Sequence, residues 1–451
     1  MAAISAARKA AFGILMAVER GNSHADDLLR GRVVNALSAP DRNLATALVL
    51  GVLRWQIGLD NQLQTLLKHP KAKLDPEIRI ALRLGAFQLL HLDRIPARAA
   101  IDESVELAKK AGHRFASGMV NAVLRKLAAA PHRNAVENAV EITPAELALA
   151  QGHPAWMVER WVAGFGLEKA RAICRHGQVQ PVLTVRIESP EVEAELTRAG
   201  VYLEPGEVLT PARAVISGDV TATSAFLEGR VRLQDEGSQL VAEIAGQGSE
   251  ILDCCAAPGG KTLILAERNP EARILACESS STRLEQMTKR LAVHAGRIEC
   301  RQADAAALVQ NAAFDLVLAD VPCSGTGTLG RNPEIRHRLK PEDLTRQAER
   351  QRAILQAALR AVRPGGRVVY STCSLEPEEN EQVIAAVLAE TPNARAIPLD
   401  ARIEALRMEG VLTAAGAERL AGCVTSDGTL RLLPGAFQTD GFFVAMLERT
   451  A

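Results

Sequence analysis

The spacing of apolar residues changes partway along the chain. From residue 4 to about residue 128, apolar residues recur three and four positions apart, which places them on one face of a helix. The spacing is clearest in four stretches: 10–18, 44–52, 78–90 and 120–127. Breaks containing glycine or proline separate these stretches. The N-terminal part is therefore predicted to be an all-α domain.

Beyond residue 154 the pattern becomes mixed. A helix is predicted over 155–174, then a strand over 183–187, with short strand and turn signals as far as 233. From residue 250 onward, apolar strand-like runs alternate with helical patterns. These runs are 251–254, 274–277, 314–319, 367–370 and 442–447. Such alternation is typical of a doubly wound, mostly parallel sheet, as in Rossmann-like α/β folds.

The chain is thus predicted to be multidomain. An all-α domain is expected over 1–132, a linker over 133–154, a small α+β module over 155–235, and a Rossmann-like α/β domain over 236–451. A length of 451 residues is too great for one ordinary core and agrees with this division.

Composition narrows the class of protein. The chain is 47% hydrophobic and 24% charged, as is usual for globular proteins. No apolar run reaches the roughly 18 residues that would span a bilayer. Residues 1–20 form no cleavable secretion signal, so a cytoplasmic protein without membrane contact is expected. The eight cysteines form no C-x-x-C pair or zinc-type spacing, which predicts free thiols and no metal.

Charge is distributed unevenly although the net charge is zero. Residues 1–130 contain 19 Lys and Arg against 11 Asp and Glu. This excess suggests contact with a polyanion, although a solvated helical surface would explain it equally well.

A glycine-rich loop follows the first strand of the predicted α/β domain. Residues 252–262 end that strand and open a helix, where backbone N–H groups can approach a ligand closely. Gly260-Lys261-Thr262 resembles the end of an NTP-binding loop, but Cys255 stands where that motif needs its first glycine. The dinucleotide fingerprint G-x-G-x-x-G is also absent. An NTPase and an NAD enzyme are therefore disfavoured.

Acidic residues follow the next strands in order. Glu278 ends the second strand, where a ribose diol is often bound, Asp304 follows the third, and Asp320 ends the fourth. Each acid alone is more often a cap or turn residue. As an ordered set beside the loop they suit S-adenosylmethionine, which has ribose, adenine and sulfonium groups but no phosphate.

Two cysteines come just after strands that should be neighbours. Cys323 follows the strand ending at Asp320, and Cys373 follows the strand over 367–370, so both thiols can face one pocket. A thiolate that adds to C6 of cytosine makes C5 nucleophilic, and a second group must then help to remove the C5 proton. The alternative is that they are inert buried thiols. These residues alone rank the two cysteines equally.

Several motifs together resemble the RNA cytosine-C5 methyltransferases. The resemblance lies in Cys255-Ala256-Ala257-Pro258-Gly259-Gly260-Lys261-Thr262, Asp320-Val321-Pro322-Cys323-Ser324-Gly325 and Ser371-Thr372-Cys373-Ser374, with further similarity at 234–240 and 440–443. Residues 100–109 and 120–125 are similar to the NusB-like RNA-binding domain. The resemblance covers essentially the whole chain.

The resemblance implies distinct roles for the two thiols. Cys373 would be the nucleophile and Cys323 would assist product release, with Asp320 and Lys261 near the cytosine or the methyl group. S-adenosylmethionine would be the cofactor and RNA, foremost small-subunit rRNA, the substrate. The implied cofactor-binding residues are Cys255, Ala256, Ala257, Pro258, Gly259, Gly260, Lys261, Glu278, Asp304 and Asp320.

Basic residues after the Cys323 loop are candidates for RNA phosphate contacts: Arg331, Arg336, Arg338 and Lys340. The alternative is a solvated entry to a helix. A non-catalytic RNA-binding or assembly factor is a second functional class, which loss of either cysteine would favour; both are present. The target nucleotide, protein partners and oligomeric state are not encoded in any recognisable pattern.

Overall fold

The computed structural model describes residues 4–21, 23–71, 73–130 and 142–450. The chain divides into two compact units, one of Met1–Gln180 with Leu329–Arg338 and one of Pro181–Thr328 with Leu339–Ala451. Residues 133–141 of the predicted linker lie outside the described residues. In the described part of the chain, no helix combines the length and apolarity that a membrane crossing requires.

The N-terminal unit is helical, as predicted. Its helices before residue 181 are α1 (Ala6–Glu19), α2 (Ala25–Leu29), α3 (Arg32–Asn35), α4 (Ala39–Leu66), α5 (Pro76–His91), α6 (Ala97–Lys110), α7 (Ser117–Ala129), α8 (Pro144–Ala150), α9 (Ala155–Phe165) and α10 (Leu167–Gln178). The four periodic stretches lie in α1, α4, α5 and α7, and their apolar faces form one core around Leu48, Leu84 and Leu124. The predicted helix over 155–174 is two helices, because Gly166 adopts φ +82° between them.

Helices α9 and α10 group with the N-terminal unit, although the sequence placed them in the small α+β module. The rest of that module comprises β1 (Leu183–Ile187), α11 (Pro190–Arg198), β2 (Tyr202–Pro205), β3 (Ala212–Ser217), α12 (Ser224–Leu227) and β4 (Val231–Leu233). The strands form an antiparallel sheet in the order β2-β3-β1-β4. Val185, Leu196 and Val231 belong to its small core.

The α/β domain contains a second, larger sheet. Its strands are β5 (Glu250–Asp253), β6 (Arg273–Glu278), β7 (Ile298–Gln302), β8 (Phe314–Asp320), β9 (Val362–Thr372), β10 (Ala394–Ile397), β11 (Leu430–Leu432) and β12 (Phe442–Arg449). The order is β10-β12-β9-β8-β5-β6-β7, with β11 paired to β12. Strands β5 to β9 pair in parallel, whereas β12 runs antiparallel to β9.

The helices that follow the small module are α13 (Glu236–Ala245), α14 (Gly260–Arg268), α15 (Ser281–Leu291), α16 (Ile335–Arg338), α17 (Pro341–Ala361), α18 (Glu381–Glu390), α19 (Asp400–Met408) and α20 (Ala414–Ala421). Of these, α16 belongs to the N-terminal unit. The fold class is confirmed: an all-α domain, a small α+β module and a Rossmann-like α/β domain.

The order of the strands indicates where a ligand-binding site should lie. Chain order reverses between β5 and β8, and ligands of doubly wound sheets bind beyond the carboxyl ends of the strands at such a point. Strands β8 and β9 are neighbours, with Asp320 opposite Ser371 at their carboxyl ends. Strand β9 begins at Val362, earlier than the predicted start at residue 367. The strand includes a turn in which Gly365 has φ +76°, and the sheet accommodates this turn because the register between β9 and β8 shifts there.

Candidate active site

The two thiols meet at the ends of the two neighbouring strands. Cys373 directly follows the last residue of β9, and Cys323 lies three residues beyond the end of β8. Their Sγ atoms are 3.3 Å apart and both side chains are half-buried. The backbone N–H of Gly327 donates to the Cys373 carbonyl at 2.9 Å, which ties the two loops together.

The environment of Cys323 favours its protonated form. The hydrogen bond with Cys373, followed by burial and by the nearby charge of Glu379, raises the pKa of the Cys323 thiol well above its usual value. The sequence motifs do not reveal this contact between the two thiols.

A lysine–aspartate pair lies beside the thiols. Lys261 Nζ donates to Asp320 Oδ2 at 2.8 Å, and Ser371 Oγ donates to Asp320 Oδ1 at 2.7 Å. Burial opposes the charge on Lys261, but the attraction of Asp320 outweighs it and raises the pKa of the ammonium. Lys261 is therefore a fixed cation. Because its ammonium group is paired with Asp320, Lys261 is not positioned to bind a phosphate, as the lysine of an NTP-binding loop does.

A cavity of about 380 Å³ opens beside these groups. This volume lies in the usual range of small-molecule sites, about 300–1,000 Å³. Its wall includes Cys255, Ala257, Glu278, Asp320 and the thiols of Cys323 and Cys373. Glu278 is 4% exposed and accepts from the Ser280 N–H at 2.8 Å. A carboxylate beside a glycine-rich loop at the start of α14 suits a ligand with hydroxyl groups and positive charge, as S-adenosylmethionine has.

The other residues predicted to bind the cofactor do not line this cavity. Ala256, Pro258, Gly260 and Lys261 line an adjoining pocket of about 110 Å³. Gly259 adopts φ +96° just before α14, a conformation that favours glycine. Asp304 is exposed, caps the turn after β7 by accepting from the Ala306 N–H at 3.1 Å, and does not line the cavity.

A buried carboxylate that the sequence did not single out lies behind the loop. Asp253 accepts from Thr262 Oγ1 at 2.8 Å and from the Cys255 backbone. Burial raises its pKa to about 7, and Asp320 adds to this effect while Thr262 and Lys261 oppose it.

Replacing Asp253 with asparagine should change how stability depends on pH. In the wild type the folded state binds the extra proton between pH 3.8 and about 7, so this stabilising contribution is lost as pH rises through that window. Asparagine does not titrate. The free energy of unfolding of the variant, relative to wild type, should therefore rise by up to about 1.4 kcal/mol per pH unit. Urea unfolding from pH 4 to 7 measures this difference, and a constant difference would contradict it.

The predicted RNA contacts differ greatly in exposure. Arg336 is 2% exposed and its guanidinium donates to the carbonyls of Arg54, Gly152, Gly177 and Leu329, all within the N-terminal unit. Burial lowers its pKa to about 9. This position does not suit the predicted phosphate contact. The basic character of the segment misled the prediction, because a buried and an exposed arginine have the same sequence signal.

The remaining three members of the basic group are more accessible. Arg338 is half-buried and donates to the carbonyls of Val18 and Ser23 within the N-terminal unit. Arg331 is also half-buried. Lys340 is exposed at the start of α17.

Arg336→Ala and Lys340→Ala should therefore behave differently. Arg336→Ala removes the buried guanidinium that donates to four carbonyls and should destabilise the protein by at least about 2 kcal/mol. Lys340→Ala should leave stability within about 0.5 kcal/mol of wild type. Chemical denaturation of both variants measures the difference. Equal stabilities would show that the buried guanidinium contributes nothing to the fold.

A polar cluster between the two cysteine loops was also missed. Glu379 is fully buried and accepts from Ser324, Ser374 and Gln351. The sequence feature that could have indicated this cluster is the acidic run 376–381, shortly after the Thr-Cys-Ser motif. Such a run also resembles the exposed start of an ordinary helix. Among the described residues, no group of His, Cys, Asp and Glu is arranged to hold a metal ion.

Three family models match the chain. They are described as 16S rRNA methyltransferase RsmB/F over residues 244–448, NusB family over 5–129, and the ferredoxin-like domain of RsmF/B-like methyltransferases over 153–212. Among curated proteins, a probable ribosomal RNA small subunit methyltransferase B from Bacillus subtilis is 34% identical, covering 98% of each chain. The ribosomal RNA small subunit methyltransferase B of Pseudomonas putida is 33% identical, covering 87% of this chain and 91% of its own.

Solved structures agree on the fold. The crystal structure of PH0851 superposes with a TM-score of 0.77 at 24% identity over 99% of both chains. NSun6 from Pyrococcus horikoshii, solved with SFG, has a TM-score of 0.51 at 19% identity, covering 65% of this chain and 97% of its own.

A doubly wound domain with this strand order and this loop defines a Rossmann-like methyltransferase, joined here to a NusB-like domain. With the sequence matches, the chain belongs to the RsmB/F family of 16S rRNA methyltransferases. The expected family of rRNA methyltransferases with a NusB-like domain is thereby confirmed.

Proposed function

We propose that this protein transfers a methyl group from S-adenosylmethionine to C5 of a cytosine in 16S rRNA, through a covalent bond between Cys373 and C6 of the base. The observation that carries the proposal is the pair of thiols 3.3 Å apart, next to the Lys261–Asp320 pair and on the wall of the cavity. The family of methyltransferases to which the chain belongs gives the methyl donor and the class of RNA.

S-adenosylmethionine, when bound, supplies an electrophilic methyl group. The Cys373 sulfur forms a bond to C6 of the cytosine, and the electrons of the C5–C6 double bond become available at C5. After C5 is methylated, its proton leaves, the sulfur–C6 bond breaks and the double bond returns. Cys323, the thiol in contact with Cys373, is placed to assist this last step.

Asp320 and Lys261 are proposed to orient the base. Ser371 and Lys261 hold the two carboxylate oxygens of Asp320 from different sides. A carboxylate fixed in this way can accept a hydrogen bond from the cytosine edge and support the charge that develops on addition. Lys261 keeps the local charge balanced because it remains an ammonium.

The cofactor is proposed to lie along the glycine-rich loop. Residues 255–261 would contact it through their backbone, Glu278 would bind the ribose hydroxyls, and Asp304 would lie towards the adenine. The solved NSun6 structure contains SFG, an analogue of S-adenosylmethionine, which supports a cofactor of this class. Lys340, Arg331 and Arg338 are proposed phosphate contacts, and a cytoplasmic location is expected because the proposed substrate is rRNA.

The proposal is tested by methylation of defined RNA. The protein is incubated with 16S rRNA lacking the modification and with labelled S-adenosylmethionine, and the methylated nucleotide is mapped. Label at C5 of one cytosine is the expected result. Label on another base, or on a ring nitrogen, would contradict the cytosine-C5 chemistry. ATP hydrolysis, measured in parallel, should be absent.

A further inference from the structure

Glu379 connects the two cysteine loops through one carboxylate. Its Oε1 accepts from the Ser324 N–H at 2.8 Å and from Gln351 Nε2 at 2.9 Å. Its Oε2 accepts from the hydroxyls of both Ser324 and Ser374. Ser324 directly follows Cys323, and Ser374 directly follows Cys373. The carboxylate is therefore one residue removed from each thiol.

The surroundings of Glu379 rule out direct contact with a substrate. Glu379 is 0% exposed and does not line the cavity that the thiols face. Its partners Gln351 and Ser374 are 0% and 1% exposed. Tyr370 of β9 also donates its hydroxyl to the Glu379 carbonyl at 2.6 Å, which anchors the backbone of this residue to the sheet. A buried carboxylate costs free energy unless its hydrogen bonds are satisfied, and here both loops must stay in place to satisfy them.

We propose that Glu379 is a positioning residue whose carboxylate sets the separation of the Cys373 and Cys323 thiols. The role assigned to this separation rests on the proposed two-cysteine reaction. The nucleophile and the releasing thiol must reach the same cytosine from adjacent loops. Without the shared acceptor, the loops would keep the hydrogen bonds that join Gly327 to Cys373 and Leu375 to Thr326. They would lose the link between the residues that directly follow the two cysteines.

Neither glutamine, which is similar in size, nor aspartate, which has the same charge, can make all the hydrogen bonds of Glu379. Glutamine offers one oxygen and places an NH2 group against two of the existing donors. Aspartate keeps both oxygens but is one methylene shorter, so it cannot reach all four donors. We expect Glu379→Gln to loosen the pair most and Glu379→Asp to retain part of the effect.

The separation of the thiols can be measured without RNA or cofactor. Phenylarsine oxide binds two nearby thiols at once, releasing one water, and its affinity depends on how well the two sulfur atoms are preorganised. The component of binding that needs both thiols is defined by its loss in Cys323→Ser. We expect Glu379→Gln to weaken this component by about tenfold or more, with Glu379→Asp between it and wild type.

Glu243→Gln is the matched control. Glu243 is 1% exposed in the same unit and pairs with Arg186 at 2.8 Å and with Arg268, away from the cysteine loops. It should lose stability but keep wild-type arsenical affinity. Wild-type affinity in folded Glu379→Gln would overturn the proposal. If Glu379→Gln does not fold, Ser324→Ala and Ser374→Ala replace it: weakened binding in both supports the proposal, and wild-type binding in either overturns it.

Methylation assays separate this proposal from the proposed function. In Glu379→Gln, kcat should fall while the Kd of S-adenosylmethionine stays at the wild-type value. If arsenical binding weakens but wild-type protein methylates no cytosine at C5, the positioning role stands and the proposed function fails. If wild-type protein methylates cytosine and arsenical binding in Glu379→Gln is unchanged, the positioning role fails alone.

Discussion

Cys373→Ala is expected to abolish methyl transfer. Without the Cys373 sulfur, nothing adds to C6, and C5 of cytosine remains too weak a nucleophile to take the methyl group. We expect a loss of at least about 10³-fold in turnover, the scale seen when a covalent nucleophile is removed. The rate of label transfer to RNA measures it, together with a denaturing gel that detects protein bound covalently to RNA.

The Cys373 variant should keep its fold and its cofactor. The side chain is half-buried at a loop, so stability and the Kd of S-adenosylmethionine should both stay close to wild type. Cys300→Ala is the matched control, because Cys300 is a half-buried thiol on β7 outside the cavity wall, and it should retain activity. Residual turnover in Cys373→Ala within tenfold of wild type would rule out the covalent route.

Cys323→Ala should have the second largest effect, and a different one. Cys373 can still attack C6 and C5 can still be methylated, but removal of the C5 proton and release of the enzyme should be slow. We expect most of the protein to accumulate as a covalent adduct with RNA, and turnover to fall by at least about 100-fold. The adduct is measured as a band of reduced mobility that RNase digestion removes.

The double variant separates the two roles. Cys323→Ala combined with Cys373→Ala should form no adduct, because the attacking sulfur is gone. If Cys323→Ala formed no adduct and Cys373→Ala did, the roles would be reversed. The motifs alone, without the family resemblance, also allow this reversed assignment.

The elements of the α/β domain were readily predicted. The buried parallel strands contain short apolar runs, and those of β5, β8 and β9 are followed by motifs that are unusual in composition. The strands predicted over 274–277, 314–319 and 442–447 lie within β6, β8 and β12, and the strand predicted over 251–254 extends one residue beyond the end of β5. The helix predicted over 155–174 was too long, because a glycine tolerated inside a helical pattern can instead take a positive φ.

Burial was the main quantity that the sequence could not supply. Arg336 and Lys340 are four residues apart and equally basic, yet one lies inside the N-terminal unit and the other in solvent. Glu379 resembles its half-buried neighbour Glu378 in the chain but is fully enclosed. Charge alone gives no information about which donors a folded chain brings to a side chain.

The sequence by itself determined the family, and it singled out the glycine-rich loop and the two cysteines as site candidates, because these depend on local motifs whose residues are contiguous. Only the tertiary structure brought Cys323 within 3.3 Å of Cys373, although they are 50 residues apart, and enclosed Glu379 between their loops. The physical reason is that pairing of β8 with β9 and the hydrogen bonds of one buried carboxylate act between distant segments. The raised pKa of the Cys323 thiol follows from that proximity and from burial, and no motif records it.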